Sequence, residues 1–341
     1  MKTSEFELIQ QIKHNLNMAP VDLIRGIGDD CAVIKKDDHS VFLISTDCLV
    51  ETVHFERKHF SFIELGKKAM SVNLSDIAAM GGTPLYAFVT LGVPSDVDEG
   101  EIHDLYTGMQ QVAAEFSTGI VGGDTSRSPK AFFVSLTVVG VAKNGQYKLR
   151  SEAKVGDGIY VSGHVGSSAV GLKLLQKKKV QENHFIKAHK NPRPRIQLGQ
   201  LLGEAPSVHA MIDLSDGLLQ DLAHILNASQ VAAEIQYEAL PLEDDFAEVC
   251  RGVGLIPEET ALTGGEDYQL LFTMDDAAAE ELSQSLVAKR FKITRIGTIL
   301  AKDLVPKVAK PLPARIRVLK NGKEFKPAQL GYDHFLAHIR S

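Results

Sequence analysis

Gly26-Ile27-Gly28-Asp29-Asp30-Cys31-Ala32-Val33-Ile34 sets two adjacent carboxylates after two glycines and before an apolar run. Glycines allow a tight turn and a close approach to a ligand. Neighbouring aspartates repel unless something positive lies between them. Immediately downstream, an apolar strand at Val41–Ile44 delivers a second polar cluster, Ser45-Thr46-Asp47. Ser61-Phe62-Ile63-Glu64 then reads as a capping box that starts a helix running to about Met80 and stopping at Gly81-Gly82. That helix is apolar nearly all round, which implies burial. Asn73 and Asp76 nevertheless lie inside it, three apart and so on one face. A buried ionised Asp is costly unless it is paired or metal-bound.

The same chemistry recurs further along. Glu101–Ser117 is an amphipathic helix with Ile102, Leu105, Met109, Val112, Ala113 and Phe116 at helical spacing. Gly122-Gly123-Asp124-Thr125 follows it, and then a long β-type run over Ala131–Val141. The polar, glycine-bearing stretch Ala142–Gly158, which contains Arg150, is the expected domain boundary. We therefore expect domains at 1–145 and 146–341. The second restarts with a strand at Gly158–Ser162, then a helix with Ala169, Leu172 and Leu175 as its apolar positions. Asp213-Leu214-Ser215-Asp216-Gly217 opens a helix with Leu218, Leu219, Leu222, Ile225 and Leu226 on one face. Gly264-Gly265-Glu266-Asp267-Tyr268 precedes a strand at Gln269–Thr273. Strands alternate with helices throughout, so the fold class is α/β or α+β.

Bulk properties narrow the function. A chain of 341 residues is long for a single core. A net charge of −6 lacks the basic balance of a nucleic-acid or membrane-surface binder. The densest basic run, Lys177-Lys178-Lys179, reads as a solvated helix end. The three cysteines, Cys31, Cys48 and Cys250, form no Cys-x-x-Cys pair, which fits a reducing compartment. With no signal-like or membrane-spanning segment, a cytoplasmic location is expected.

An acidic residue beside glycine or a small hydroxyl residue, at a strand end or helix start, recurs at Asp29/Asp30, Thr46/Asp47, Asp124/Thr125, Asp213/Ser215/Asp216 and Glu266/Asp267. Any one of these is equally an Asp–Gly turn or a helix cap. Together, with Asp76 added, they suit Mg²⁺, whose octahedron water and substrate phosphates would complete. Two carboxylates about 4 Å apart repel by a few kcal/mol at an effective dielectric near 20. No P-loop, dinucleotide fingerprint, EF-hand, His-Glu-x-x-His or Gly-x-Ser-x-Gly pattern is present. Nucleotide binding would then rest on magnesium held by carboxylates.

In this order, Gly26–Ala32, Ser45-Thr46-Asp47, Asn73–Gly81, Gly122–Thr125, Asp213–Gly217, Gly264–Tyr268 and the closing Gly331-Tyr332-Asp333-His334-Phe335 resemble the thiamine-monophosphate kinase family. The wider superfamily contains aminoimidazole ribonucleotide synthetase. The resemblance implies a two-domain aminoimidazole ribonucleotide synthetase-like fold, with the N-terminal domains of a homodimer pairing into a barrel-like core. It implies phosphorylation of thiamine monophosphate to thiamine diphosphate by direct in-line transfer from ATP, with several Mg²⁺ ions. Carried over by motif, Asp30, Ser45, Thr46, Asp47, Asp76, Asp124, Asp213 and Asp216 would be metal ligands, with Asp29 either a ligand or a turn cap. Tyr106, Gly123, Asp124, Arg150 and Ser215 would contact ATP, and His54, Glu266 and Tyr332 the acceptor. No general base is implied, because the acceptor is already a phosphate anion. The rivals are a superfamily relative acting on another acceptor and a non-catalytic magnesium–nucleotide sensor.

Overall fold

The computed structural model describes residues 4–16, 20–177, 181–306, 315–328 and 331–332. Asp333, His334 and Phe335 of the closing motif, and Lys178 and Lys179 of the basic run, lie outside the described residues.

The chain separates into two compact units that interleave along the sequence. One comprises Asp22–Tyr147 with Gln181–Glu204; the other comprises Met1–Val21, Lys148–Val180 and Ala205–Ser341. The first helix, α1 (Glu5–Asn15), belongs to the second of these. Its Phe6 ring meets His224 edge-on with 5.0 Å between centroids.

In the Asp22–Tyr147 unit, six strands form one sheet: β1 (Leu23–Arg25), β2 (Ala32–Lys35), β3 (Ser40–Val50), β4 (Thr83–Val93), β5 (Gly119–Arg127) and β6 (Phe133–Lys143). Their spatial order is β1-β2-β3-β6-β4-β5, antiparallel except for the parallel pair β4–β5. Alternation is clean, as expected of a sheet covered on one side. Val41, Leu43, Ala87, Val89, Leu91, Val134, Leu136 and Val138 are buried under the helices. The opposite face carries Tyr86 and Phe88, each more than two-fifths exposed.

Helix α2 (Phe62–Ala79) covers the buried face and packs along α3 (Glu99–Glu115). Its capping box is formed as read: Ser61 Oγ accepts from the Glu64 N–H, and the Glu64 carboxylate accepts from the Ser61 N–H at 2.8 Å. Asp98/Glu101 repeats the device at α3, two residues ahead of the start expected from apolar spacing. The helices touch backbone to backbone because Gly66 and Gly108 have no side chain: a Cβ on either would strike the carbonyl of Leu105 or Ile63. Leu65, Met70, Leu74 and Ile77 are then fully buried, each contributing about 2 kcal/mol by removal from water.

Past Tyr147 the chain forms β7 (Gly158–Val161) and α4 (Ser167–Leu175). Helices α5 (His184–Lys190) and α6 (Ile196–Glu204) then return to the Asp22–Tyr147 unit. There Lys190 pairs with Glu64, and Gly199 seats against the Ala78 carbonyl of α2. The rest completes a seven-stranded sheet with β8 (Val208–Asp213), β9 (Ala232–Gln236), β10 (Leu270–Met274), β11 (Thr294–Leu300), β12 (Ile316–Lys320) and β13 (Lys323–Phe325). Its order is β13-β12-β9-β11-β7-β10-β8. Helix α7 (Leu218–Ser229) buries all five apolar residues expected of it, and α8 (Phe246–Val253), α9 (Pro257–Thr263) and α10 (Ala279–Ala288) follow. Helix α4 departs from expectation. Val170 and Leu174 are its buried apolar residues, whereas Leu172 is exposed. At its start Gly166 takes a φ of 75° and the chain is held by Asp267. No helix among the described residues is long and apolar enough to cross a membrane.

Candidate active site

The aspartate turn forms as a bend between β1 and β2, with Gly28 at a φ of 120°, where only glycine is unstrained. Asp29 and Asp30 part company there. The Asp29 side chain is buried against Arg25, 3.7 Å from the guanidinium Nε. Asp30 is buried, and its carboxylate approaches that of Asp76 to within 4.8 Å. Asp76 is gripped from two further directions. Ser45 Oγ on β3 donates to Asp76 Oδ2, and Cys31 Sγ donates to the Asp76 carbonyl at 3.6 Å. Three sequence-distant segments thus converge on one carboxylate pair. The Asn73 side chain joins them by accepting from the Asp47 N–H at 3.1 Å while donating to the Ala69 carbonyl at 2.9 Å. Asn73 is therefore a positioning residue for Asp47, a role hinted at only by its polarity inside an apolar helix.

Strand β3 runs to Val50, beyond the expected end at Ile44, so the Ser45-Thr46-Asp47 cluster lies within a strand. Alternation sends Ser45 and Asp47 to the side of α2 and Thr46 to the opposite side, where Thr46 Oγ1 accepts from Thr137 Oγ1 at 3.2 Å. The Gly122–Thr125 motif is also strand, on edge strand β5. Gly123 is required by contact, because a Cβ there would strike the Val89 carbonyl of β4. Register places Cys48, Ser135, Thr90 and Asp124 in one row across β3, β6, β4 and β5. Three strand spacings, roughly 14 Å, thus separate β3 from Asp124. This unit brings Asp30, Ser45, Asp47 and Asp76 together and leaves Asp124 apart on an exposed edge, beside Ser126 at 3.2 Å. Tyr106 is half-buried on α3, and burial raises its phenol pKa.

His54 lies in a tight turn after β3, with its Nδ1 accepting from the Val50 N–H at 2.9 Å. The neutral ring then carries its proton on Nε2. Glu51 braces this turn by pairing with Arg57 at 2.7 Å and accepting from the Phe132 N–H at 2.9 Å.

In the other unit, Asp213 closes β8 and is buried, while Ser215 and Asp216 follow in the loop before α7. The Gly264–Tyr268 segment is stitched to that loop: the Glu266 N–H reaches the Ser215 carbonyl at 2.7 Å, and the Tyr268 N–H the Leu214 carbonyl at 2.8 Å. The Tyr332 N–H reaches the Asp216 carbonyl at 3.1 Å, and the Gln220 side chain donates to the Tyr332 carbonyl. Three separated motifs therefore become one patch holding Asp213, Ser215, Asp216, Glu266 and Tyr332. Asp221 organises its centre, accepting from the Asp216 and Gly217 N–H groups at 3.1 Å each. Burial first, and then Asp216 and Asp213, push its pKa well above the carboxylate range, while Arg150 pulls it down. The Arg150 charge thus acts on this acidic patch. Sequence reading missed Asp221 because an acid in a helix's first turn is common.

The family models AIR synthase related protein, N-terminal domain, and AIR synthase related protein, C-terminal domain, match residues 28–142 and 154–308. A thiamine-monophosphate kinase of Bacillus subtilis (strain 168) is 38% identical over 305 residues, spanning 87% of this chain and 92% of that protein. The chain belongs to the thiamine-monophosphate kinase family. The Escherichia coli (strain K12) relative of the same name is 35% identical over 98% of this chain and 99% of its own length. Among solved structures, AaThiL complexed with AMPPCP and TMP matches with a TM-score of 0.81 and 32% identity, covering 97% of each chain. Membership in this family accounts for the two mixed α/β units.

Proposed function

We propose that this protein transfers the γ-phosphoryl group of ATP to thiamine monophosphate, giving thiamine diphosphate and ADP. The observation that carries the proposal is near full-length likeness to a structure complexed with AMPPCP and TMP. An acceptor phosphate oxygen attacks the γ-phosphorus, the bond to the β–γ bridging oxygen breaks, and that oxygen leaves with ADP. Such a transfer needs positioning and charge neutralisation more than covalent help.

Mg²⁺ fits the donor chemistry of the Asp30–Asp76 pair. Both residues offer hard oxygen ligands within 4.8 Å, a separation at which uncompensated carboxylates repel by a few kcal/mol. Several such ions are proposed, and Asp30, Ser45, Thr46, Asp47, Asp76, Asp124, Asp213 and Asp216 are the residues that would hold them. When bound, the cation would supply positive charge for ATP and acceptor phosphates that carboxylates alone would repel. Arg150, Tyr106, Gly123 and Ser215 are proposed to orient the nucleotide. His54 would donate from Nε2 to the acceptor, Glu266 would accept from its aminopyrimidine, and the Tyr332 ring would stack on it.

We further propose a homodimer, with 1–145 as the nucleotide-binding and dimerisation domain and 146–341 completing the site. Two observations support it. The open sheet face exposes Tyr86, Phe88 and Val121, an apolar surface of the kind that pairs with another copy. Asp124 lies three strands from Asp47, so a site using both gains if a second copy supplies one of them. Location in the cytoplasm fits the substrates.

The test is direct. Purified protein, ATP, Mg²⁺ and thiamine monophosphate should yield ADP and thiamine diphosphate in equal amounts. ATP binding without product would sink the proposal in favour of a sensor. ADP release only with another acceptor would do so in favour of a superfamily relative.

A further inference from the structure

Asp267 lies between Glu266 and Tyr268, both of which hold positive φ angles, 63° and 49°. Left-handed backbone at two non-glycine residues persists only where the surroundings over-determine it. Part of that determination is visible in the backbone bonds from Glu266 and Tyr268 to the Asp213–Gly217 loop. Another part is Asp267 itself. Its side chain turns inward, is 8% exposed, and meets the start of α4: one oxygen accepts from the Gly166 N–H, the other from the Ser168 N–H at 2.9 Å. Its own carbonyl accepts from the Gln269 side chain at 3.2 Å. Ser162 Oγ on β7's end donates in turn to Gln269 Oε1 at 3.0 Å.

The stereochemistry demands a carboxylate. Each oxygen faces an N–H donor, so both must accept. An amide of the same shape offers one acceptor and turns an NH₂ toward the other N–H, placing donor against donor. The charge also suits the positive end of a helix. Burial pushes the Asp267 pKa up to about 7, while the N–H bonds from Ser168 and Gly166 pull it down and the charge on Glu266 raises it.

We propose that Asp267 is a positioning residue for acceptor recognition. Its carboxylate fastens the Glu266–Tyr268 backbone to α4 and so fixes where Glu266 presents its own carboxylate. The inference rests on the reading of Glu266 as an acceptor contact. Asp267 touches no substrate in this scheme. Its substitution should therefore act through the acceptor's KM and spare the nucleotide.

The experiment is Asp267→Asn in the full chain, assayed with ATP and thiamine monophosphate in the presence of Mg²⁺. The KM for thiamine monophosphate should rise at least tenfold while that for ATP stays within twofold and far-ultraviolet circular dichroism is unchanged. Equal changes in both KM values, or none, overturn the proposal. Hydrogen exchange supplies an independent arm. In the wild type the Gly166 and Ser168 amides should be protected, and in the variant they should lose protection together with Glu266–Tyr268. Unprotected Gly166 and Ser168 amides in the wild type overturn the proposal even if the variant does not fold. Absence of thiamine diphosphate from the wild type would remove the kinase reading, while exchange would still decide whether Asp267 fastens the two segments.

Discussion

Ser45 donates its hydroxyl proton to Asp76 Oδ2, tying the middle of β3 to the last turns of α2 across 31 residues of sequence. Asp76 thereby faces Asp30 with one oxygen already committed as an acceptor. Asp76→Asn would remove the charge, and kcat/KM should fall at least about 100-fold, or roughly 2.7 kcal/mol of transition-state stabilisation. Ser45→Ala should cost less, about tenfold, because Asp76 keeps its charge. Steady-state assays across a Mg²⁺ titration check both; an Asp76→Asn enzyme with unchanged Mg²⁺ dependence removes Asp76 from the metal site.

Asp47→Asn leaves the backbone bond to Asn73 intact, since that bond uses the Asp47 N–H. The fold should persist while turnover is lost at ordinary Mg²⁺. Circular dichroism with a product assay decides it, and retained turnover would exclude Asp47 as a ligand.

Tyr332→Ala should weaken thiamine monophosphate binding more than ATP binding. The backbone of Tyr332 is held by Asp216 and Gln220 whatever the side chain, so truncation deletes a ring without freeing the segment. Calorimetric titration of each ligand gives the ratio. Equal losses would make the ring structural.

His224 is half-buried, its pKa lowered to about 3 by removal from water first and then by Arg150. An unfolded imidazole titrates near 6.5, so between about pH 6.5 and 3 the unfolded chain binds the extra proton. The stability from this group is fully present above pH 6.5 and is lost as pH falls, at up to about 1.4 kcal/mol per unit. Urea midpoints of wild type and His224→Phe between pH 7.5 and about 4.5 isolate the histidine. The wild type should fall more steeply; parallel curves would show that His224 does not carry the effect.

Gly108→Ala should destabilise the Asp22–Tyr147 unit by about 2 kcal/mol or more, since the new methyl meets the Ile63 carbonyl carbon and oxygen. Scanning calorimetry should show a lower Tm, and an unchanged one would mean α2 and α3 part at little cost.

Much of this molecule is local and was legible for that reason. Capping at Ser61 and Glu64 needs only four residues, the glycine turn before Asp30 needs five, and the apolar face of α7 follows from helical period alone. The acidic motifs announced phosphate chemistry by residue type, and their order announced the family. What alternation and period do not encode is which strands become neighbours. Order β3-β6-β4-β5 carries Asp124 away from Asp47, although both sit in similar motifs. Asp29 and Asp30, adjacent in sequence, take different partners because the turn sends one toward Arg25 and the other toward Asp76. Asp221 and Asp267 looked ordinary because their importance lies in backbone N–H groups that only a folded chain presents. Helix α4 buries Val170 and Leu174 rather than the expected Leu172, and its start is held by Asp267, almost a hundred residues away. The sequence by itself determined many of the elements, the acidic chemistry and the family; tertiary structure decided which carboxylates meet, because long-range pairing and buried hydrogen bonds depend on strand neighbours that no local pattern specifies.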